Sequence, residues 1–348
     1  MPLKKLELKS GVNRENTRYT SEGGWYECDK IRFRQGTPEK IGGWQRISQS
    51  VFQGVCRSIW NWVTLGSQNL VGLGTNLKFY IENGGGYYDI TPLRKAAATL
   101  TNPFTTVSGS ATVTVTDATG GYIVGDFVTF SNASAVGGLT IDGEFQVVDL
   151  SSSTSYTITA SSNATSSATG GGTVTAEYQI NVGPAFAIPL VGWGASSWGS
   201  GTWGIGAESV EEVRQWSQAN FGEDLIFGPR GGTLFYWDAS ATNSLSVRGV
   251  ALSSVVGASN VPTIQNLTLV SDISRFVFCF GCNELGSASL NTMLIRWSDQ
   301  EDATNWTPSA TNQSGDLILS NGTNIIAAKQ SRQEVLVWTD SALYALQY

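Results

Sequence analysis

The 348-residue chain contains no histidine. Histidine is the commonest general base at neutral pH and the commonest metal ligand in proteins, so its absence excludes Ser-His-Asp and Cys-His nucleophile systems. The sequence also lacks a P-loop and a dinucleotide-binding glycine fingerprint. We therefore expect a structural protein rather than an enzyme, with no catalytic residue, no cofactor and no metal.

Cysteine is scarce, and its spacing says little about chemistry. Two of the four cysteines, Cys279 and Cys282, form a Cys-x-x-Cys pair, which is the spacing of half a zinc site or of a redox pair. The other two, Cys28 and Cys56, fit no zinc module, so we expect buried free thiols. Such sparse cysteine is typical of proteins assembled in a reducing compartment.

Charged residues make up only 14% of the chain, against about 25% in ordinary domains. Ten of the 21 lysines and arginines lie within residues 4–46, whereas residues 96–213 have none but carry nine acidic residues. With a net charge of −7, the chain does not offer the clustered basic surface that grips duplex DNA. No apolar run approaches the roughly 18 residues of a membrane helix, so we expect no membrane contact.

Glycine and aromatic residues are abundant, with 40 glycines, 12 tryptophans, 11 tyrosines and 14 phenylalanines. Together with many threonines and serines, this composition favours strands joined by tight turns. The sequence therefore predicts an all-β fold. A single weak helix candidate lies at Ser209–Ser217.

Residues 1–50 form a basic N-terminal region that is expected to join the main body. Alternation over residues 29–35 places Ile31 and Phe33 on one face of a strand and the basic side chains on the other. A turn at residues 35–38 and a second strand running toward residues 42–45 complete a predicted hairpin. The basic face of this hairpin consists of Lys30, Arg32 and Arg34. We expect these side chains to contact either DNA phosphates or an acidic surface on a neighbouring subunit; the simplest alternative is that they pair with carboxylates nearby in the sequence.

Two segments, 51–100 and 182–348, share a recurring strand–turn–strand unit. It appears at residues 70–80, 225–237 and 335–344, each time as an apolar strand, a short turn and a leucine followed closely by tyrosine. Repetition of such a unit is typical of propeller blades. These segments predict a β-propeller-like body. Because the chain ends one hairpin into a unit, we expect either that the body is incomplete or that its ring is closed in an unusual way.

Residues 101–181 change in character, becoming rich in Thr, Ser, Val and Gly without any basic residue. Short alternating segments at regular spacing predict a small β-barrel or β-sandwich. Because the composition shifts on both sides, we interpret the segment as a domain inserted into the body.

The most distinctive motif is GWGASSWGSGTWG, residues 192–204, in which a tryptophan recurs every five residues. Three alternatives remain open: aromatic platforms for sugar rings, an inter-subunit loop rich in interface tryptophans, or hairpins that pack on their own chain. The acidic cluster Asp299, Glu301 and Asp302 is expected to be a solvated turn. From the basic face of the hairpin and the interface alternative for the tryptophan motif, we predict a subunit or partner interface at that face and at the three tryptophans, which are Trp193, Trp198 and Trp203.

Several segments resemble the tail-nozzle proteins of short-tailed bacteriophages, also called tail hub, tail tubular protein B or packaged-DNA stabilisation proteins. The resembling segments run from near the start to near the end of the chain; they are Gly11-Val-Asn-Arg14, Gly23-Gly-Trp25, KIRFRQGTPEKIGGW (30–44), the tryptophan motif at 192–204, WSQANFGEDL (216–225) and IRWSDQEDATNWTP (295–308).

The resemblance implies a β-propeller subunit in a homo-oligomeric, sixfold ring of the virion tail, assembled in the host cytoplasm. It also implies an adaptor (head-to-tail connector) protein above, needle, spike or fibre components below, and genomic DNA passing through the channel without tight binding. It implies no catalytic residue. The alternative is a virion adhesin that binds host-surface glycan through the tryptophan motif and the inserted domain.

Overall fold

A computed structural model describes residues 9–15, 17–20, 23–43, 46, 48–182 and 215–347. The chain divides into two compact units, Met1–Gln49 and Ser50–Tyr348. Within the described residues the structure is almost entirely β, and its only helices are two three-residue 3-10 turns, Ser244–Ser246 and Leu252–Ser254. The all-β prediction is therefore confirmed.

The first unit contains one antiparallel hairpin, formed by β1 (Ile31–Arg34) and β2 (Thr37–Lys40). Its turn is only two residues long, Gln35 and Gly36, with φ of 49° and 83°. Two consecutive positive φ values match the twist of paired strands. The hairpin is confirmed, but the predicted turn was too long, because residues 37–38 already pair in β2, and β2 ends at residue 40.

The second unit begins with a four-stranded antiparallel meander, the first sheet. The strands lie in the sheet in the same order as in the sequence. The strands are β3 (Cys56–Val63), β4 (Asn69–Thr75), β5 (Phe79–Asn83) and β6 (Gly86–Asp89).

The next nine strands form two sheets packed face to face, so the inserted segment is a sandwich rather than a closed barrel. The sheet orders are β11-β10-β15-β7 and β12-β13-β9-β8-β14. The strands are β7 (Ala98–Thr101), β8 (Phe104–Thr106), β9 (Thr112–Thr116), β10 (Phe127–Ser131), β11 (Gly143–Gln146), β12 (Asp149–Ser152), β13 (Ser155–Thr159), β14 (Ala168–Gly170) and β15 (Thr173–Gln179). One apolar cluster fills the space between them, built from alternate residues of both sheets such as Val113, Val128 and Val174.

Three further antiparallel meanders follow and are called the second, third and fourth sheets. The second is β16 (Trp216–Phe221), β17 (Asp224–Pro229), β18 (Phe235–Trp237) and β19 (Val250–Ala251). The third is β20 (Gln265–Val270), β21 (Val277–Asn283), β22 (Leu290–Trp297) and β23 (Gly315–Ile318). The fourth is β24 (Ile325–Gln330), β25 (Val335–Thr339) and β26 (Leu343–Leu346).

The four meanders pack in series, and a separate apolar core lies between each consecutive pair. Their first strands adjoin one another: Gln218 of β16 donates to Ser58 of β3, and Thr268 of β20 donates to Ser217 of β16, both at 3.0 Å. Lys329 of β24 returns to β3, with its ammonium 5.7 Å from the ring centre of Trp60. This serial packing of four meanders through their first strands is propeller-like. None of the seven sheets among the described residues closes on itself into a barrel.

The recurring unit of the sequence has a common place in this architecture. Residues 70–80, 225–237 and 335–344 form the second and third strands of the first, second and fourth sheets respectively. The third sheet contains the same hairpin, β21–β22, which sequence comparison missed because a β-bulge interrupts its register between Phe280 and Cys282. The helix candidate at 209–217 is wrong at residues 216–217, which begin β16, and its residues 209–214 lie outside the described residues.

Among the described residues, the structure has no helix with the length and hydrophobicity that a transmembrane span requires.

Candidate functional site

The basic face predicted on the N-terminal hairpin is only partly free of local partners. Arg32 and Arg34 are exposed while Ile31 and Phe33 are half-buried, as the period-2 pattern requires. Arg32 pairs with Glu39 across the hairpin, with its Nε 3.2 Å from the carboxylate. This cross-strand pair is exposed, so its contribution to stability is small.

The two other basic residues of that face are placed differently. Lys30 precedes β1 in the left-handed region (φ 57°), so the strand alternation does not include it, and its ammonium lies 3.9 Å from Asp29. Arg34 has no ion pair within the described part of the chain. Of the three residues of the predicted basic face, Arg34 is therefore the one available to a partner without breaking an ion pair among the described residues; Lys40 at the end of β2 is a second exposed cation of the hairpin without one.

The three tryptophans of the glycine-rich motif, Trp193, Trp198 and Trp203, lie outside the described residues. The acidic cluster lies in an exposed turn after β22, where Asp299 and Asp302 accept hydrogen bonds from neighbouring backbone amides such as that of Thr304. These carboxylates therefore stabilise the turn. Within the described residues, no group of three or more acidic or cysteine side chains is arranged to hold a metal ion.

All four cysteines are free thiols. Cys279 and Cys282 are buried in the third sheet, and burial raises the pKa of both thiols, that of Cys282 to about 12. Cys56 is exposed, contrary to the expectation of burial, because it lies at the start of β3, where the chain enters the sheet. Its thiol donates weakly to the carbonyl of Ser58 at 3.5 Å.

The most elaborate polar site joins the sandwich to the first sheet, and we call it the charged junction. Its first cluster is centred on Lys78, whose side chain is 4% exposed and which pairs with Asp89 at 2.9 Å and with Glu144 of the sandwich. Arg248 from the second sheet's β18–β19 connection reaches the same Asp89 at 3.3 Å. Burial acts to raise the pKa of Asp89, but the charges of Lys78 and Arg248 outweigh it and hold that pKa below its ordinary value.

The second cluster of the charged junction lies in the linker that enters the sandwich. Arg94 binds the fully buried carboxylate of Asp126 with two parallel hydrogen bonds of 2.6 and 2.7 Å. Such bidentate pairs fix both distance and orientation. Asp126 also accepts from the backbone of Asn181 at 2.8 Å, so one carboxylate ties together the two chain segments that enter and leave the sandwich.

The third cluster lies inside the sandwich. Lys95 donates to the fully buried Asp117 at 2.8 Å, and its ammonium lies 4.2 Å from the ring centre of Tyr178. The Tyr178 hydroxyl also donates to Asp117 at 2.8 Å and lies 2.8 Å from the hydroxyl of Tyr156. Burial favours a higher pKa for Asp117, but its hydrogen bonds from Lys95, Thr119 and Tyr178 together lower that pKa.

Sequence reasoning missed the charged junction, although part of its signal was visible. The sandwich segment lacks basic residues, yet Arg94 and Lys95 stand immediately before it and Lys78 lies in the preceding sheet. Three of the six acidic residues at 101–181 are paired with these three cations, so the sandwich surface is less acidic than its composition indicates. The remaining three have no ion pair among the described residues; they are Asp142, Asp149 and Glu177.

Comparisons with known proteins place few constraints on this chain. No protein-family model matches it, and no curated protein matches it. Among solved structures, the phage phi92 endosialidase is similar over 86% of this chain at 15% sequence identity, with a TM-score of 0.26. The chain spans 43% of the length of that structure. At this TM-score the similarity establishes neither a shared topology nor a shared activity.

Proposed function

We propose that this protein is a structural subunit of the tail of a short-tailed bacteriophage. In this proposal it forms the nozzle ring of the virion below the portal and adaptor, and the ring channels and retains the genome. The subunit acts as a homo-oligomer of six copies and performs no catalysis. Its partners are the adaptor above and needle, spike or fibre components below.

The observation that carries the proposal is where the family-like motifs lie. In the segment at 216–225, Trp216 is buried between the first and second sheets and its indole N–H donates to the carbonyl of Thr75 at 2.8 Å. In the segment at 295–308, Trp306 is 1% exposed within the core between the second and third sheets. In these two segments, residues that resemble the nozzle family pack consecutive sheets together, so this part of the resemblance concerns the architecture of the body.

The charged junction supports a structural role. It pairs buried and half-buried cations with buried and half-buried carboxylates, which fixes the sandwich to the first sheet and to its entry linker at several points rather than by a flexible tether. Removing either partner of a buried pair leaves an uncompensated charge, which typically costs about 3–5 kcal/mol. A sandwich held in this way has a defined orientation, as a ring that resists internal pressure requires.

The charge distribution is compatible with a DNA channel. Each subunit carries a net charge of −7, and a negative lumen repels phosphates over a Debye length of about 8 Å at physiological ionic strength. DNA then slides without adhering. In this arrangement the channel-facing loops are acidic or neutral, while the basic hairpin contacts a neighbouring subunit or the adaptor.

The proposal is tested by cryo-electron microscopy of virions of the phage that encodes this chain, together with quantitative mass spectrometry of its copy number. We expect six copies in a ring on the tail axis. Absence from purified virions, or a single copy per virion, would contradict the proposal. A ring in which Lys30, Arg32 and Arg34 line the channel would contradict the assignment of the basic hairpin while leaving the ring itself intact.

The alternative function, a virion adhesin for host-surface glycan, gains no support from the inserted sandwich. None of the seven aromatic side chains of residues 101–181 is exposed, so that domain offers no platform on which a sugar ring stacks. Aromatic side chains with a polar rim are instead found between the third and fourth sheets.

A further inference from the structure

A cavity of about 400 Å³ opens between the third and fourth sheets, and we call it the inter-sheet pocket. Volumes of roughly 300–1,000 Å³ are typical of small-molecule sites. The pocket shares no lining residue with the charged junction, and its one residue from the family-like segments is Trp297 of the segment at 295–308. Its lining combines an aromatic floor with an amide-rich rim.

The floor is a contiguous aromatic surface. Phe278 lies 6.0 Å from Phe276 and 6.3 Å from Trp297 between ring centroids. Phe276 is buried, whereas Phe278 and Trp297 are half-buried and face the opening. The indole N–H of Trp297 already donates to the carbonyl of Gln313 at 2.7 Å, so this ring offers a ligand its apolar surface.

The rim is polar and rich in groups that both donate and accept hydrogen bonds. Four glutamines and one glutamate line it, and each amide has two donors and one acceptor oxygen. Gln347 donates to Glu334 at 3.1 Å, which orients that carboxylate. The rim residues are Gln313, Gln330, Gln333, Glu334 and Gln347.

One rim group has an unmet hydrogen-bonding requirement. The amide nitrogen of Gln330 donates to the carbonyl of Ser331 at 3.1 Å, but its oxygen is buried and accepts no hydrogen bond from the described residues. Buried polar atoms are paired in the great majority of cases, because an unpaired acceptor costs about 1–3 kcal/mol. Because that oxygen is inaccessible to solvent, a ligand hydroxyl or amide supplies the missing donor only after the Gln330 side chain turns toward the pocket.

The charge of the lining restricts the ligand. Among the described residues that line the pocket, one is acidic and none is basic. Two basic side chains adjacent in sequence to lining residues are engaged elsewhere: Arg275 lies over the ring of Phe221 at 5.6 Å and Lys329 over Trp60 at 5.7 Å. A third, Arg332, is exposed beside Gln333 and does not line the pocket. An anionic ligand would therefore meet Glu334 without a compensating cation, so the pocket favours a neutral ligand.

From these features we infer that the inter-sheet pocket binds a neutral sugar, a mono- or disaccharide unit of a hexose or N-acetylhexosamine. The C–H face of a pyranose packs on Phe278 and Trp297, and its hydroxyls meet the glutamine amides, Gln330 Oε1 among them. A purely apolar ligand would desolvate the exposed rim amide of Gln333 without offering it a hydrogen-bond partner. This inference does not depend on the ring assembly.

The test is a glycan array probed with the full chain, followed by saturation-transfer NMR and calorimetric titration of the glycans that bind. We expect binding to neutral hexose or N-acetylhexosamine glycans and none to sialylated or uronic-acid glycans. Gln330→Met keeps the side-chain length and removes the amide, and Gln333→Ala alters an exposed rim residue. Each should weaken binding by about tenfold.

Trp338→Ala is the matched control, because Trp338 is an exposed aromatic residue of the fourth sheet outside the pocket. It should leave the affinity unchanged, and circular dichroism melts establish that all variants fold. Three results would overturn the inference: no neutral glycan binding at millimolar concentration, binding of anionic glycans alone, or binding that the pocket variants leave intact while Trp198→Ala abolishes it. Uptake of an apolar dye without any sugar would also overturn it.

Discussion

The ammonium group of Lys95 lies 2.8 Å from the carboxylate of Asp117, whose side chain is completely buried inside the inserted sandwich. Lys95 stands in the linker before the first strand of the sandwich, so the pair fastens the entry of the domain to its interior. The Tyr178 hydroxyl donates to the same carboxylate and extends the network to Tyr156. A domain that composition alone describes as acidic is therefore organised around a buried cation.

The first prediction concerns this pair. Lys95→Met should lower the free energy of unfolding by about 3 kcal/mol, because it leaves the Asp117 carboxylate buried without its cation. Urea denaturation monitored by tyrosine and tryptophan fluorescence measures the change. Arg332→Met is the control: Arg332 is exposed, so its replacement should change stability by no more than about 0.5 kcal/mol. Equal stability of the two variants would show that the Lys95–Asp117 pair does not stabilise the sandwich.

The second prediction concerns pH. The pKa values of Asp89 and Asp117 are lowered in the folded state, whereas an unfolded aspartate titrates near 3.9. Their stabilisation is therefore complete above about pH 4 and is lost as the pH falls through the lowered folded values. The free energy of unfolding should therefore fall as the pH is lowered from about 4 through the lowered folded pKa values. The fall should be shallower in Asp117→Asn, which lacks one of these titrating groups; an identical slope would contradict the assignment.

The third prediction concerns the contact between the first and second sheets. A Cβ on Gly74 would lie 2.6 Å from Trp216 Cδ1 and 2.5 Å from Ser58 Oγ, closer than packed atoms tolerate. Gly74→Ala should therefore destabilise the protein by about 1–3 kcal/mol. Gly66→Ala is the matched control, since a Cβ there meets only Thr64 Oγ1 at 3.7 Å. Thermal melts of both variants make the comparison.

The contact at Gly74 illustrates which parts of the fold the sequence specifies. The meander strands were predictable because glycine-rich turns separate short apolar runs, and period-2 alternation marked the buried faces of strands such as β9 and β13. Four strands of the sandwich do not stand out in the sequence. The strands β7 and β8 bury alternate residues but are only four and three residues long. The strands β12 and β14 have exposed or half-buried residues throughout. Because β12 and β14 lack a buried face, their sequences show no alternation of apolar and polar residues. These two strands form because neighbouring strands pair with them.

The candidate sites depend on contacts between residues far apart in sequence. Lys78 and Glu144 are 66 positions apart, and the inter-sheet pocket brings Phe278 beside Gln330. No local pattern records such pairs, because they are set by how whole sheets pack. The basic alternation around Arg32 was readable, since the period of a strand alone determines it, but its pairing with Glu39 required the register of the hairpin.

The fourth prediction concerns the thiols. Burial raises the pKa of Cys279 and Cys282, and the thiolate is the reactive form. The pKa of Cys56 is raised by desolvation as well, but this residue is exposed. At pH 8, Ellman's reagent should therefore react with Cys56 in the native protein and with the Cys-x-x-Cys pair only after denaturation. Cys56→Ser should remove the native-state reaction assigned to that residue. Rapid labelling of Cys279 or Cys282 in the native protein, located by peptide mass spectrometry, would contradict the buried-thiol assignment.

The last prediction separates the two roles considered for the basic hairpin. If it contacts a protein neighbour, the triple variant Lys30→Ala, Arg32→Ala and Arg34→Ala should fail to incorporate into virions while leaving duplex-DNA affinity as weak as in the wild type. Phosphate contacts would produce a different result: measurable DNA binding in the wild type that declines steeply with salt and disappears in the variant. Fluorescence anisotropy with duplex DNA at two salt concentrations, beside quantification of the chain in purified particles, distinguishes them. Of the three residues changed, Arg34 is the one without an ion pair among the described residues, so Arg34→Ala should account for most of the incorporation defect. The side chain of Arg32 already pairs with Glu39, so Arg32→Ala should have the smaller effect.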